Sequence, residues 1–391
     1  MDSRLEGIWK LDPITATVFG VDARKQTGDK LKEFGVTKAC IFYDEVVGSL
    51  GKKDEMEEII KAAGIDVVSF QVEPGEPNCV STDHAMEFAK ENNIDGIVGI
   101  GGGSTLDTAK MVGVVLANGG KTLDYLGYTA KPAANVFSPI ITLPTTAGTG
   151  AEVTWFLTNG DEDHNKLVCM YSPVTLAIVD PTYCLTMPRS VTANTGIDAL
   201  VHASEEMAQT RAFPNLFVDE LCKSTIAIIF KWLPKALEDG SNLEARVWMS
   251  YAALVAGYII RMRGGHFAHP VANQLSNLVH CPHGVGCGIG MVALAHYCID
   301  ENNDWVRMTA AACGVECNED SDMHEVGVKV AEAYTNLHKL AGIPNLKALG
   351  VPESEIDAIV DRVAADSKWK VVPAPPKFDL VKKAMHKTYD F

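Results

Sequence analysis

The sequence predicts two domains, an α/β domain built on a parallel sheet and an all-helical domain after it. Three observations carry the prediction. From about residue 36 to residue 180, short β-rich runs alternate with helical stretches, the pattern of successive βαβ units. Beyond Asp180-Pro181 the β-branched runs fade, and stretches rich in Ala, Leu, Glu and Met with helical spacing take over. A chain of 391 residues is also long for a single core, at ~150 residues per domain. The boundary is expected between residues 181 and 190, where Pro181 and Pro188 flank a loop, giving domains over 1–185 and 186–391.

In the first domain, strands are predicted over residues 38–43, 67–72, 96–100, 139–143 and 176–179. Each is a continuous apolar run, as a strand covered on both faces requires. In the second domain, the stretch containing Asp198-Ala-Leu-Val-His202 reads as a helix, and Thr195, three residues before Asp198, is expected to start it.

Hydrophobic residues make up 47% of the chain, enough for a large core, and the net charge is −16 with acids and bases interleaved. Such a field disfavours nucleic acid and anionic membranes as partners. No apolar run reaches the ~20 residues needed to cross a bilayer, and the start Met-Asp-Ser-Arg-Leu-Glu lacks the basic-then-apolar order of a signal peptide. A soluble cytoplasmic enzyme is expected, and the ten dispersed cysteines read as reduced thiols.

Gly101-Gly102-Gly103-Ser104-Thr105-Leu106-Asp107-Thr108-Ala109-Lys110 follows a strand and opens a helix. There, glycines let the backbone approach a pyrophosphate while the helix N-terminus supplies N–H groups and a positive dipole end. The usual dinucleotide fingerprint puts an acid ~20 residues after the glycines. Here the best acid comes earlier: Asp44, just after the strand ending at Tyr43. Its carboxylate would accept from ribose hydroxyls and repel a 2′-phosphate, favouring NAD over NADP, or it is simply a helix N-cap. A second stretch, Thr142-Leu-Pro-Thr145-Thr146-Ala-Gly-Thr-Gly150, runs from a strand into a loop of hydroxyls suited to phosphate or the nicotinamide carboxamide.

Asp198 and His202, four apart, share one helical face, as two ligands of one ion must. His266, His269, His280 and His283 lie within eighteen residues of one another in a segment otherwise rich in Gly, Ala, Val and Pro. Imidazoles crowded into an apolar setting are costly unless something ligates or bonds them. A carboxylate with imidazoles suits Fe2+, Zn2+ or Mn2+ and not a thiolate structural zinc site. Such an ion would act as a Lewis acid on an alcohol or carbonyl oxygen.

With these motifs assembled, together with Pro144-Thr-Thr-Ala-Gly-Thr-Gly-Ala-Glu152, Ile178-Val-Asp-Pro181 and Pro282-His-Gly284, the chain resembles the iron-containing (group III) alcohol dehydrogenase family over nearly its whole length. The resemblance implies the dehydroquinate synthase-like fold: an N-terminal α/β domain binding NAD(H) and an all-α C-terminal metal-binding domain, with cofactor and metal meeting in a cleft. It also implies homodimers or higher oligomers. The family's ligands, one Asp and three His, fall on Asp198, His202, His269 and His283. His269 is chosen over His266 because it stands fourteen residues before His283. The resemblance sets Asp44 on the adenosine ribose, Gly101, Gly102, Gly103 and Ser104 on the pyrophosphate, and Thr142, Thr145 and Thr146 along the cofactor. Asp107 and Lys110 fall near the nicotinamide, as cofactor-binding and catalytic candidates.

Two departures stand out. Asn273 occupies the place where the family commonly carries a proton-relay histidine, so His280, His266 or bulk water would take over that role. Arg261-Met-Arg263-Gly-Gly-His266 replaces the small or neutral residues usual at the substrate pocket. A bidentate guanidinium there would bind a sulfonate, phosphonate or carboxylate on the substrate, unless the arginines point outward or pair with acids such as Glu205 and Glu206. Phe156 and Asn273 join Arg261, Arg263 and His266 as substrate-facing candidates. The expected reaction is hydride transfer between NAD(H) and a small primary alcohol or aldehyde, with Fe2+ the foremost metal. A lyase of the dehydroquinate synthase type and a metal-dependent hydrolase of a phosphorylated substrate are the alternatives.

Overall fold

The computed structural model describes residues 15–127, 130–163, 165–263, 265–366, 369 and 375–391. It divides into two compact units, one ending at Thr186 and the other running from Met187 to Phe391.

In the first unit strands and helices alternate: β1 (Ala16–Phe19), α1 (Thr27–Glu33), β2 (Lys38–Tyr43), α2 (Glu45–Ser49), α3 (Lys52–Ala62), β3 (Asp66–Gln71), α4 (Cys79–Glu91), β4 (Gly96–Gly101), α5 (Gly103–Asn118) and β5 (Ile140–Pro144). A hairpin of β6 (Leu157–Gly160) and β7 (Lys166–Cys169) precedes β8 (Leu176–Val179). The sheet runs β1-β8-β5-β4-β2-β3, with every neighbouring pair parallel. Side chains alternate across it with the period of two that a strand imposes. Ile41, Val98, Ile100, Ile141 and Ile178 pack with Leu31, Met56 and Ile60 on one face. Cys40, Phe42, Ile97 and Ile140 pack with Ala85, Ala89, Ala109 and Val112 on the other.

The predicted strands all form, with ends moved by a residue at most. β1, β6 and β7 were not foreseen. Each is only four residues long, and β1 is held at the sheet edge by pairing with β8, 160 residues further along at Ala16↔Leu176.

The order of the sheet matters for function. From β2 the chain passes through α2 and α3 to β3 on one side, whereas β4 lies on the other side of β2 and leads through α5 to β5. The C-terminal ends of β2 and β4 therefore flank a topological switch point, where open α/β sheets leave a crevice for ligands.

The second unit is helical: α6 (Arg189–Ala208), α7 (Leu216–Glu238), α8 (Leu243–Arg263), α9 (Ala268–Val279), α10 (His283–Glu301), α11 (Asn303–Ala310), α12 (Met323–Ala341), α13 (Ile356–Ala364) and α14 (Phe378–His386). α6 starts directly after Pro188, so Thr195 lies inside the helix rather than at its start, and its hydroxyl bonds back to the Val191 carbonyl. α10 lies tightly against α9. A Cβ on Gly286 would come within 2.7 Å of Ala272 Cα, and one on Gly290 within 2.7 Å of Ala268 Cα. All ten cysteines are free thiols, and no helix among the described residues is long and apolar enough to cross a membrane.

Candidate metal centre and dinucleotide crevice

At the switch point, β4 ends on Gly101, Gly102 forms the N-cap of α5, and the N–H groups of Gly103 and Ser104 belong to the first turn, which has no intrahelical acceptors. Asp44 does both things the sequence left open. Its Oδ1 accepts from Val47 N at 2.8 Å, capping α2, and its Oδ2 accepts from Thr105 Oγ1 at 3.1 Å. That approach needs a glycine at 101, because a Cβ there would sit 2.7 Å from Asp44 Oδ2. Asp44, Gly102, Gly103, Ser104 and Thr108 line a cavity of about 260 Å³. Ser81 also lines it, as do Val72, Glu73, Pro74, Gly75 and Pro77 of the segment after β3, and these were not anticipated. The segment carries no phosphate-type motif; only its position at the end of β3 brings it here.

Thr145 and Thr146 follow β5 beside this turn, with Thr145 N donating to Gly101 O at 2.9 Å. Thr142 is corrected: it is fully buried within β5, and its hydroxyl donates to Glu152 O at 3.0 Å. Lys110 is corrected as well. Its fully buried ammonium donates to Phe156 O at 2.7 Å, Thr154 Oγ1 at 3.0 Å and Ala151 O at 3.1 Å, and faces Asp107 Oδ1 at 3.5 Å. Asp107 Oδ2 in turn accepts from Thr158 N at 2.9 Å. The pair fastens α5 to residues 151–158, with the Lys110 ammonium taken up by those acceptors. Phe156 is half-buried, with its carbonyl held in that arrangement.

In the helical unit, Asp198 Oδ1 lies 3.8 Å from His202 Nε2, 3.6 Å from His269 Nε2 and 3.9 Å from His283 Nε2. These separations are too long for hydrogen bonds. They match donors that share an ion, since two atoms each ~2.1 Å from a common metal stand roughly 3 to 4 Å apart. Asp198 Oδ1 and His269 Nε2 are buried and make no hydrogen bond among the described residues. A buried carboxylate oxygen left in that state is costly, and a divalent cation relieves the cost. The donor set and its geometry therefore fit the ion that the sequence implied.

At Asp198 and His202 the electrostatics agree, whereas at His269 burial is outweighed by Cys287, Glu205 and Asp198, which raise the pKa and oppose loss of the proton that a ligand nitrogen must give up. Burial works to raise the Asp198 pKa, but His202, His269 and His283 outweigh it and hold the carboxyl below its usual range. Burial pushes His202 down to about 4, against the pull of Asp198, which leaves its imidazole neutral, the form that ligates. The His202 and His269 rings stack 4.7 Å apart.

Consecutive glutamates of α6 fix His269. Glu205 accepts from His269 Nδ1 and from Ala268 N, and Glu206 accepts from Gly265 N. These two residues grip the turn that opens α9. Burial raises the Glu206 pKa to about 8, against the opposing pull of Arg263. Neither glutamate was singled out as a support for the site, although i,i+3 and i,i+4 spacing from His202 places both on the buried side of α6.

Arg263 is corrected. Its guanidinium is buried and pairs with Asp219 Oδ1 at 2.6 Å, also donating to Glu206 O and Asn215 O. It cannot also clamp a substrate anion. The Arg261 side chain lies outside the described residues. His266 is buried against Phe267 and Tyr297, Asn273 is half-buried one turn beyond His269 on α9, and His280 is exposed at the C-cap of α9 with φ 51°.

A glycine turn at the switch point of a parallel sheet and a carboxylate set among imidazoles describe a metal-dependent oxidoreductase that uses a dinucleotide. The chain belongs to the iron-containing alcohol dehydrogenase family: that family's model matches residues 14–181, and the Fe-containing alcohol dehydrogenase C-terminal model matches residues 192–389. Similar proteins include the choline dehydrogenase of Bacillus subtilis (strain 168), 32% identical over 90% of this chain and 88% of its own length. Another is the NAD-dependent methanol dehydrogenase of Bacillus methanolicus, 30% identical over 95% of this chain and 98% of its own. A crystal structure of 1,3-propanediol oxidoreductase superposes with a TM-score of 0.88 at 28% identity, covering 96% of this chain and 98% of that one. The protein is accordingly an oxidoreductase of the alcohol dehydrogenase and aldehyde reductase type.

Proposed function

We propose that this chain interconverts a small primary alcohol and its aldehyde with NAD(H), using a divalent metal held by Asp198, His202, His269 and His283. The observation that carries this reading is the buried, unbonded Asp198 Oδ1 facing three imidazole Nε2 atoms at 3.6 to 3.9 Å. When bound, the ion supplies Lewis acidity toward the alcohol or carbonyl oxygen and the nicotinamide supplies the hydride. Fe2+ is the metal the family name points to, and Zn2+ and Mn2+ accept the same ligands.

The protein's own contribution is positional. Glu205 fixes the His269 ring so that Nε2 points inward. Asp44 offers a carboxylate to ribose hydroxyls and repels a 2′-phosphate, and the first turn of α5 meets the pyrophosphate. Lys110 and Asp107 hold residues 151–158, and with them Phe156, in place. His280, exposed, is the proposed path for the proton to solvent, and Asn273 and His266 the flanking polar groups. If the substrate carries a sulfonate, phosphonate or carboxylate, Arg261 is the residue left to meet it. A cytoplasmic homodimer or higher oligomer is the proposed form of the enzyme.

The test is a panel of small charged and neutral aldehydes with NADH and NADPH, after chelation and reloading with Fe2+, Zn2+ or Mn2+. NADH oxidation should return only with metal. Full activity after exhaustive chelation would overturn the reading.

A further inference from the structure

α10 presents its residues toward the centre in the same pattern as α6. Asp198 and His202 are four apart on one helix, and His283 and Cys287 are four apart on the other. Residues at i and i+4 share a helical face, so Cys287 projects to the same side as the ligand His283. Its Sγ lies 3.4 Å from His283 Nε2. One donor atom from each of Asp198, His269, His283 and Cys287 falls within 4.8 Å of all the others. Cys287 is fully buried, and two atoms of this group, Asp198 Oδ1 and His269 Nε2, lack any hydrogen bond among the described residues. Sulfur is a weak hydrogen-bond partner, so the thiol does little to satisfy them as it stands.

We propose that Cys287 is a metal ligand, and that the ion of this chain is held by a mixed set of carboxylate, imidazole and thiolate. The inference rests on the metal reading given under Proposed function and goes beyond it in the donor set. When the sulfur–metal bond forms, the S–H bond breaks and its proton leaves to solvent, with no change in oxidation state. A thiolate is a soft donor, so the centre discriminates toward Zn2+ and Co2+ more strongly than four oxygen and nitrogen ligands would. His202 stacks on His269 and stands 3.8 Å from Asp198 Oδ1, outside this group of four.

The test uses the full chain, stripped of metal and loaded with Co2+, whose thiolate complexes absorb strongly in the near ultraviolet. Bound cobalt is counted by equilibrium dialysis. The wild type should bind one equivalent and show the charge-transfer band; Cys287→Ser and Cys287→Ala should lose the band, and Cys281→Ser should keep it. Zinc affinity of Cys287→Ser should fall at least tenfold, with NADH binding unchanged as a check on folding. Stoichiometric cobalt without the band in the wild type, or a band that survives Cys287→Ser, would overturn the thiolate ligand alone. Failure to bind cobalt at all would overturn both this inference and the metal reading beneath it.

Discussion

His269 turns Nδ1 to the Glu205 carboxylate, which leaves Nε2 facing Asp198 Oδ1 at 3.6 Å. Glu205 thus sets the orientation of the ring proposed as a ligand. Glu205→Gln keeps an acceptor for the Nδ1 proton, whereas Glu205→Ala removes it. Metal affinity should fall by roughly 10 to 100-fold in the alanine variant and less in the glutamine variant. Competition with a chromophoric chelator measures both, and equal affinities for wild type and Glu205→Ala would refute the role.

Asp44 combines a cap with a position in the crevice, so its substitutions should separate two effects. Asp44→Asn retains the cap on Val47 N, while Asp44→Ala loses it at about 1 kcal/mol of stability. Both remove the charge, and both should narrow the preference for NADH over NADPH. Cofactor affinities from fluorescence titration and melting temperatures report the two effects independently. An unchanged cofactor preference in Asp44→Asn would leave the residue as a cap alone.

Arg263 holds the buried Asp219 carboxylate, so Arg263→Met leaves that charge unpaired. The expected loss is about 3 to 5 kcal/mol of stability, read from denaturant unfolding. KM should shift alike for charged and neutral aldehydes. A selective rise in KM for the charged ones would restore the guanidinium to the substrate pocket.

Burial raises Glu152 from the ordinary 4.5 to about 7, and the charge of Lys110 only partly offsets it. The folded state therefore favours the protonated carboxyl. This contribution to stability is complete below pH 4.5 and is lost as pH rises through 7, a change on the order of 3 kcal/mol. Glu152→Gln should abolish that pH-dependent term, so the variant gains on the wild type as pH rises from 5 to 8. Thermal melts across that range check it; a difference between the two that stays constant with pH would contradict the assignment.

Much of this molecule is legible in the sequence because local pattern and final environment coincide. A strand covered on both faces is an unbroken apolar run, and so β2 to β5 and β8 declare themselves. Asp198 and His202 are recognisable as a pair because helix geometry alone puts them together. The residues that were missed or misread depend on partners far along the chain. Nothing near Arg263 indicates that Asp219, 44 residues earlier, takes its guanidinium. Lys110 likewise finds its acceptors 41 to 46 residues later. Cys287 stands four residues after His283, the same spacing as Asp198 and His202, but a thiol within an apolar helix is ordinary core material, so the spacing alone does not single it out.

The bare backbones of α10 at Gly286 and Gly290 lie directly on Ala272 and Ala268. Those two alanines bracket His269 by one and three residues, so any methyl group added to either glycine would wedge the helices apart and carry that imidazole away from His283. The tolerances of the proposed coordination sphere would in this way be set by hydrogen atoms on helix surfaces that never approach an ion. Attempts to retune the centre for a larger or smaller cation would do better to reshape this seam than to exchange the ligands one by one.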